Sequence, residues 1–159
     1  MRWRIGLGLI FLVGIGWSSV TTAAALSPPT FPVKASPNSL ASFPCPRKPV
    51  STLAIEACEA RKLLRVDRAF NRQASVLWSV LDTLGRGAFV RAHAAWLTYR
   101  DQECRFEARA FLGGTLAGLE GGLCQTRLTA VWLHEVKGAV ADYCQGKVRT
   151  GRYRKCPHS

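Results

Sequence analysis

Acidic side chains are scarce in this chain: 10 Asp and Glu stand against 22 Lys and Arg, a formal net charge of +12. A field of that sign attracts anionic polymers and membrane surfaces and slows approach to other cationic proteins, an effect that salt screens. The shortage of acid also bears on catalysis. Glycoside hydrolysis needs two carboxylates in one cleft, and Asp101 and Glu103, two residues apart on a helix, point to different sides. No C-x-x-C occurs and the three histidines, His93, His134 and His158, are scattered, so zinc is the poorer reading of the cysteines. Gly113-Gly114 and Gly121-Gly122 read as helix breakers, since no strand precedes them and no G-K-[ST] follows. His93 has no Ser or Cys nucleophile near it in sequence, so it does not read as a general base. No catalytic residue, metal ligand or cofactor is expected. With no recognisable reader module, neither is specific nucleic-acid binding.

Long apolar runs are missing too, apart from one at the start. Arg2 and Arg4 precede an apolar run from Ile5 to Trp17, and Ala23-Ala24-Ala25 follows, the pattern of a secretory signal peptide over residues 1–25. That run, about 13 residues, falls short of the roughly 20 a bilayer span needs. No cysteine follows it to accept a lipid. A chain cleaved after Ala25 is therefore expected to be periplasmic or secreted and not transmembrane. The leader takes away Arg2 and Arg4 and no acid, so the exported chain stays strongly basic.

What is present then falls into place. Seven of the eight prolines lie between Leu26 and Val50, so residues 26–44 read as an extended, disordered lead-in. A helix opens at Ser51 or Thr52, with Leu63, Val66, Phe70, Ala74, Leu77 and Leu81 as a buried stripe, and Gly85 and Gly87 are expected to end it. Phe89 to Phe111 holds no Pro or Gly and reads as a second helix. Steps of three and four align His93, Trp96, Arg100, Cys104 and Phe111 on one side of it, beside a strip with Tyr99, Glu103 and Phe106. Asp101 and Arg105 have ion-pair spacing. Gly113-Gly114 stops this helix. The third starts either at Thr115, capped by that residue, or near Leu123, leaving 113–122 as a loop. Its apolar side continues through Leu128, Val131, Trp132, Val136 and Val140.

Folding back at Gly113-Gly114 brings Cys104 and Cys124, about ten residues on either side, face to face, which predicts a disulfide. Six cysteines in an exported chain form an even set. They allow fifteen connectivities that sequence does not settle. The sequential one, Cys45–Cys58, Cys104–Cys124 and Cys144–Cys156, is the expectation. The last bridge would close a tail, residues 146–159, that carries Lys147, Arg149, Arg152, Arg154 and Lys155 with no acid: a solvated face or an anion-binding loop. Asp67 and Asn71, a turn apart, are either surface groups or members of a polar cluster with Arg100. A buried Arg100 would require a carboxylate partner.

The stretch AHAAWLTYRDQEC, then FLGGT and LCQTRLTAVWLHEV, resembles the LprI-type lysozyme inhibitor family, whose pattern reads A-Q-x-x-W-x-x-Y-R-D-x-x-C, G-G-S, then C with Thr-x-x-Arg downstream. Trp96, Tyr99, Arg100, Asp101, Cys104, Gly113, Gly114, Cys124 and Thr129 match, and Cys45, Cys58, Asp67 and Phe70-Asn71 resemble the family's upstream elements. The departures are His93 for Gln, Thr115 for Ser and Trp132 for Arg. The similarity covers about Cys45 to Val136.

The expectation is an all-α, disulfide-stapled bundle of about three helices over residues 45–145, with an extended Pro-rich N-terminal segment. The resemblance implies a non-enzymatic envelope protein that binds a protein partner, possibly a lysozyme-like enzyme, with His93, Trp96, Tyr99, Arg100 and Asp101 as candidate contact surface. These are also ordinary core and ion-pair residues. The alternative is a binder of anionic envelope polymers or lipid headgroups through the basic tail.

Overall fold

The computed structural model describes residues 27–29, 39–146 and 156. Three long helices account for most of them: α1, Thr52–Val80; α2, Thr83–Arg109; and α3, Thr115–Cys144. No strand occurs among the described residues. The candidate signal peptide, residues 1–25, lies outside them.

Helix α1 starts where Ser51, two residues past Pro49, accepts the amide of Ala54 on its hydroxyl at 3.2 Å. It stops earlier than the glycines suggested. Leu81 and Asp82 leave the helical conformation, and Asp82 Oδ1 accepts the amide of Gly85 at 2.7 Å, capping α2. Gly85 and Gly87 therefore open α2 rather than close α1. At Gly85 a Cβ would lie 3.0 Å from Leu81 Cδ2 and 3.1 Å from Asp82 Oδ1. A bare backbone there lets Leu81 tuck into the core while Asp82 closes the cap. Arg86 secures the corner, donating from Nε to the carbonyl of Trp78 at 3.1 Å with its guanidinium 5.2 Å from the Trp78 ring centre.

At the other end Leu112 and Gly113 take φ of 49° and 77° and turn the chain back. Gly114, not Thr115, caps α3, and does so without a side-chain hydrogen bond. The helix then runs unbroken through Gly121 and Gly122, so residues 115–122 are not a loop. The helices come close here: a Cβ on Gly121 would lie 3.9 Å from the Cys104 carbonyl and 3.8 Å from the Ala108 methyl.

Helix α3 packs along both partners, parallel to α1 and antiparallel to α2. Glu56 reaches Gly118 near the start of α1 and α3, while Trp78 and Val80 share a cluster with Val140 and Tyr143 near their ends. Cys104 meets Cys124 while His93 meets Trp132, which fixes the opposite sense of α2. Phe70, Ala74, Leu77, Trp78, Val80, Leu81, Phe89 and Val136 form the main core. Of the stripe read from the sequence, Phe70, Ala74, Leu77 and Leu81 belong to it, Leu63 is buried outside it and Val66 is only half-buried.

Three disulfides staple the bundle: Cys45–Cys58, Cys104–Cys124 and Cys144–Cys156. The first pins the lead-in to α1. Arg61 reinforces it, donating to the carbonyls of Ala41 at 2.9 Å and Phe43 at 2.7 Å. The lead-in is thus not extended up to the bridge: residues 39–41 form a helical turn, with Ser42 bonded back to Ser39.

Candidate functional site

The aromatic and charged face of α2 turns mostly inward. His93 and Arg100 are each 4% exposed, and Trp96 is half-buried. His93 stacks on Phe70 with ring centres 5.0 Å apart, and Trp96 stacks on Trp132 at 5.6 Å and 10°. Trp132 Nε1 donates to His93 Nδ1 at 3.2 Å, so that nitrogen acts as the acceptor. Two departures from the family pattern therefore meet in space. Where the pattern has Gln and Arg, this chain has His93 and Trp132, joined by a hydrogen bond and flanked by stacked rings.

Arg100 is buried with a carboxylate beside it, but that carboxylate belongs to its neighbour in sequence. Asp101 Oδ1 accepts from Nη2 at 3.1 Å and Nε at 3.3 Å. The guanidinium lies 5.2 Å from the Trp96 ring centre, and Nη1 reaches the buried Thr129 hydroxyl at 3.5 Å. Arg105 meets Asp101 through the backbone, donating to its carbonyl at 2.9 Å, so the expected side-chain ion pair gives way to the one with Arg100. Burial pushes the Asp67 carboxyl up to about 6, against the pull of the Arg100 charge. Asp67 and Arg100 feel each other's field, yet the ion pair formed is Arg100–Asp101.

Of the five residues proposed as contact surface, then, His93 and Arg100 are interior. Asp101 is committed to Arg100, Trp96 is stacked, and Tyr99, at 53% exposure, faces solvent.

Four of the exposed large apolar side chains gather at the end where α2 passes into α3, while others, Val50 and Leu84 among them, are spread elsewhere. Leu112 is 95% exposed and Phe106 72%, with Phe111 and Leu116 also open. This end is fixed at its base by Cys104–Cys124 and by an ion pair between Arg127 and Glu107. From Ala110 to Leu119 no residue carries a charge. That run, centred on Gly113-Gly114, was the available signal, and a search by residue type for Trp, Tyr and Arg passes over it. Beside the turn lies a cleft of about 250 Å³, walled by Glu56, Glu59, Leu63, Ala108, Gly118 and Gly121.

Among the described residues no three His, Cys, Asp or Glu cluster in a way that would hold a metal ion. No helix among them is long and apolar enough to cross a membrane. Lys147, Arg149, Arg152, Arg154 and Lys155 lie outside the described residues. Their segment is bracketed by Cys144–Cys156.

The family model described as lysozyme inhibitor LprI matches residues 45–135. No curated protein and no solved structure matches the chain.

Proposed function

The chain belongs to the LprI lysozyme inhibitor family, and from that premise we propose that it is an exported, non-enzymatic protein of the cell envelope, periplasmic or secreted, that binds and blocks a lysozyme-like enzyme. The family is one of inhibitors rather than enzymes, and this reading extends that to the present chain. The observation that carries it is the contrast between a tightly filled interior and a covalently clamped hairpin end with apolar side chains in solvent. An apolar surface held in place before binding loses little conformational freedom on association. The stapled helices supply that rigidity, and cleavage of residues 1–25 would deliver the chain to a compartment where the staples persist.

The test is lysis of a cell-wall suspension by a panel of lysozymes, acidic and basic, with and without the purified, oxidised chain from residue 26 onward. Inhibition of at least one enzyme is the expected result. Because the chain is strongly basic, association with an acidic lysozyme is faster and salt slows it, whereas for a basic lysozyme salt quickens it. Lysis unchanged across the panel overturns the reading.

A second reading, binding of anionic envelope polymers or lipid headgroups, draws on the Cys144–Cys156 bridge, which ties down both ends of a segment with five cations and no acid. It requires salt-sensitive binding that drops when Arg149, Arg152 and Arg154 all become Ala. Unchanged binding by that variant removes it.

A further inference from the structure

We propose that the α2–α3 turn is the element that enters the partner enzyme's substrate cleft, with the Arg109 guanidinium set against the catalytic carboxylates and Leu112 against the sugar-binding wall. This rests on the inhibitor reading above and names the surface and the chemistry that reading leaves open.

Shape is the first argument. The turn is convex and firm. Phe111, Leu112 and Gly114 donate their amides back to Ala108, Arg109 and Phe111 at 3.2, 3.1 and 3.0 Å, and the Ala117 amide reaches the Gly114 carbonyl at 2.9 Å. Cys104–Cys124 and the Arg127–Glu107 pair hold the two helices together below it. A glycan-cleaving enzyme offers the matching concavity.

The second argument is Leu112 itself. It takes φ of 49°, a conformation that suits Gly or Asn, and it is 95% exposed. A leucine is thus held in an unfavourable backbone state and kept out of the core at the turn. Strain at an exposed apolar residue, with no packing gain inside the molecule, points to a contact made outside it.

Charge selects the occupant. Glycoside hydrolases of the common two-carboxylate type place an acid pair in the cleft. Arg109 is exposed, and its guanidinium has no hydrogen-bond or ion-pair partner among the described residues. Arg105 is engaged with the Asp101 carbonyl and Arg127 with Glu107. Beyond Arg109, the ten residues Ala110–Leu119 carry no charge. The turn therefore meets a carboxylate pair with one uncommitted cation. It also keeps the cations of Arg86 and Arg91, at the opposite end of α2, away from a basic partner. A membrane surface is the rival occupant, and the charges flanking the turn disfavour it: Glu103, Glu107 and Glu120 offset Arg105, Arg109 and Arg127, leaving no net positive face for an anionic bilayer.

The experiment measures inhibition of a lysozyme that the wild-type chain inhibits, using Leu112→Gly, Arg109→Gln and, as a control of charge at the far end, Arg91→Gln. Leu112→Gly relieves the backbone while removing the side chain, so its melting temperature is expected to hold or rise while the inhibition constant weakens about tenfold or more. Arg109→Gln weakens it severalfold, Arg91→Gln leaves it unchanged, and a short chitin oligosaccharide bound in the cleft competes with the wild-type chain. Wild-type inhibition that survives both turn substitutions overturns this proposal and leaves the inhibitor reading standing. A wild type that inhibits no lysozyme overturns both. Loss of binding to phosphatidylglycerol vesicles in Leu112→Gly, with lysozyme inhibition intact, assigns the turn to a lipid surface and overturns it as well.

Discussion

The middle of the bundle and its hairpin end solve the same problem, holding α2 against α3, by opposite means. In the middle, wide planar side chains fill the space: Phe70, His93, Trp96 and Trp132 stack face to face, and Arg100 lies across the last ring it can reach. At the hairpin end the facing residues are small, Ala108 against Gly121, and a disulfide replaces the burial they do not provide. Apolar side chains in the middle are consumed by packing. At the end, where a covalent bond fixes the geometry, Phe106, Phe111 and Leu112 are left for solvent or a partner. A covalent clamp lets a surface be apolar and stable at once, which packing alone does not permit.

The largest predicted effect breaks the middle. Phe70 is fully buried and touches the His93 ring. Phe70→Ala should cost about 3–5 kcal/mol, since the rings around it cannot collapse into the gap. Urea unfolding of the oxidised protein measures this. A loss under about 1 kcal/mol would mean the stack is not what holds the middle together.

Next comes the clamp. Replacing both Cys104 and Cys124 with Ala releases a loop of sequence separation 20, worth about 3 kcal/mol on the chain-entropy account. The loss should be uneven: hydrogen exchange quickens across 105–123 and changes little at 70–81. Uniform acceleration would show that the two regions unfold as one and that the contrast between them is only visual.

Asp67 gives a smaller, pH-dependent effect. Its carboxyl rises from 3.8 to about 6 in the folded chain. Between those values the folded state holds the proton more tightly than the unfolded one, so the stabilisation is complete below about 4 and disappears as pH rises through about 6. The group retains some access to water, so the change is on the order of 1 kcal/mol rather than the full value of the shift. Asp67→Asn should flatten the dependence of melting temperature on pH between 4 and 7 and match or exceed wild type at pH 7. A variant as pH-sensitive as wild type would place the titration elsewhere.

How far these regions could be read in advance follows the same divide. Most of the stripe Leu63, Val66, Phe70, Ala74, Leu77 and Leu81 and of the line His93, Trp96, Arg100, Cys104 and Phe111 was legible, because period and burial go together in a packed helix. Val66 is only half-buried, and Phe111 lies past the end of α2 and is exposed. The side of α2 that bears a bridged cysteine faces α3, which places His93 and Arg100 inside the bundle rather than on a contact surface. Glycine misled twice. At 85 and 87 it marks a helix start because Asp82 caps into it. At 121 and 122 it lies inside a helix, with Gly121 facing Ala108 and the Cys104 carbonyl of α2 and Gly122 facing open space. Neither role is written in the local sequence, as both depend on what stands opposite. The pairing of Asp101 is a similar case: spacing pointed to Arg105, while its carboxylate meets the buried Arg100.

The finest test asks whether the hairpin end is helical for its own sake. A Cβ at Gly122 would meet nothing within 4 Å, while one at Gly121 would face Ala108 and the Cys104 carbonyl. In a helix interior with open space, Gly→Ala removes freedom from the unfolded chain and should stabilise by about 0.5–1 kcal/mol. Gly122→Ala is therefore expected to raise the melting temperature by a few degrees and leave inhibition as it was, because the proposed contact lies at 109–112. Gly121→Ala should gain somewhat more, its methyl adding ordinary contact with Ala108 and the Cys104 carbonyl across to α2. If residues 113–122 were a loop in solution, the two substitutions would behave alike and gain little. A larger gain at 121 than at 122 thus reads out, without any binding partner, which face of α3 turns toward α2.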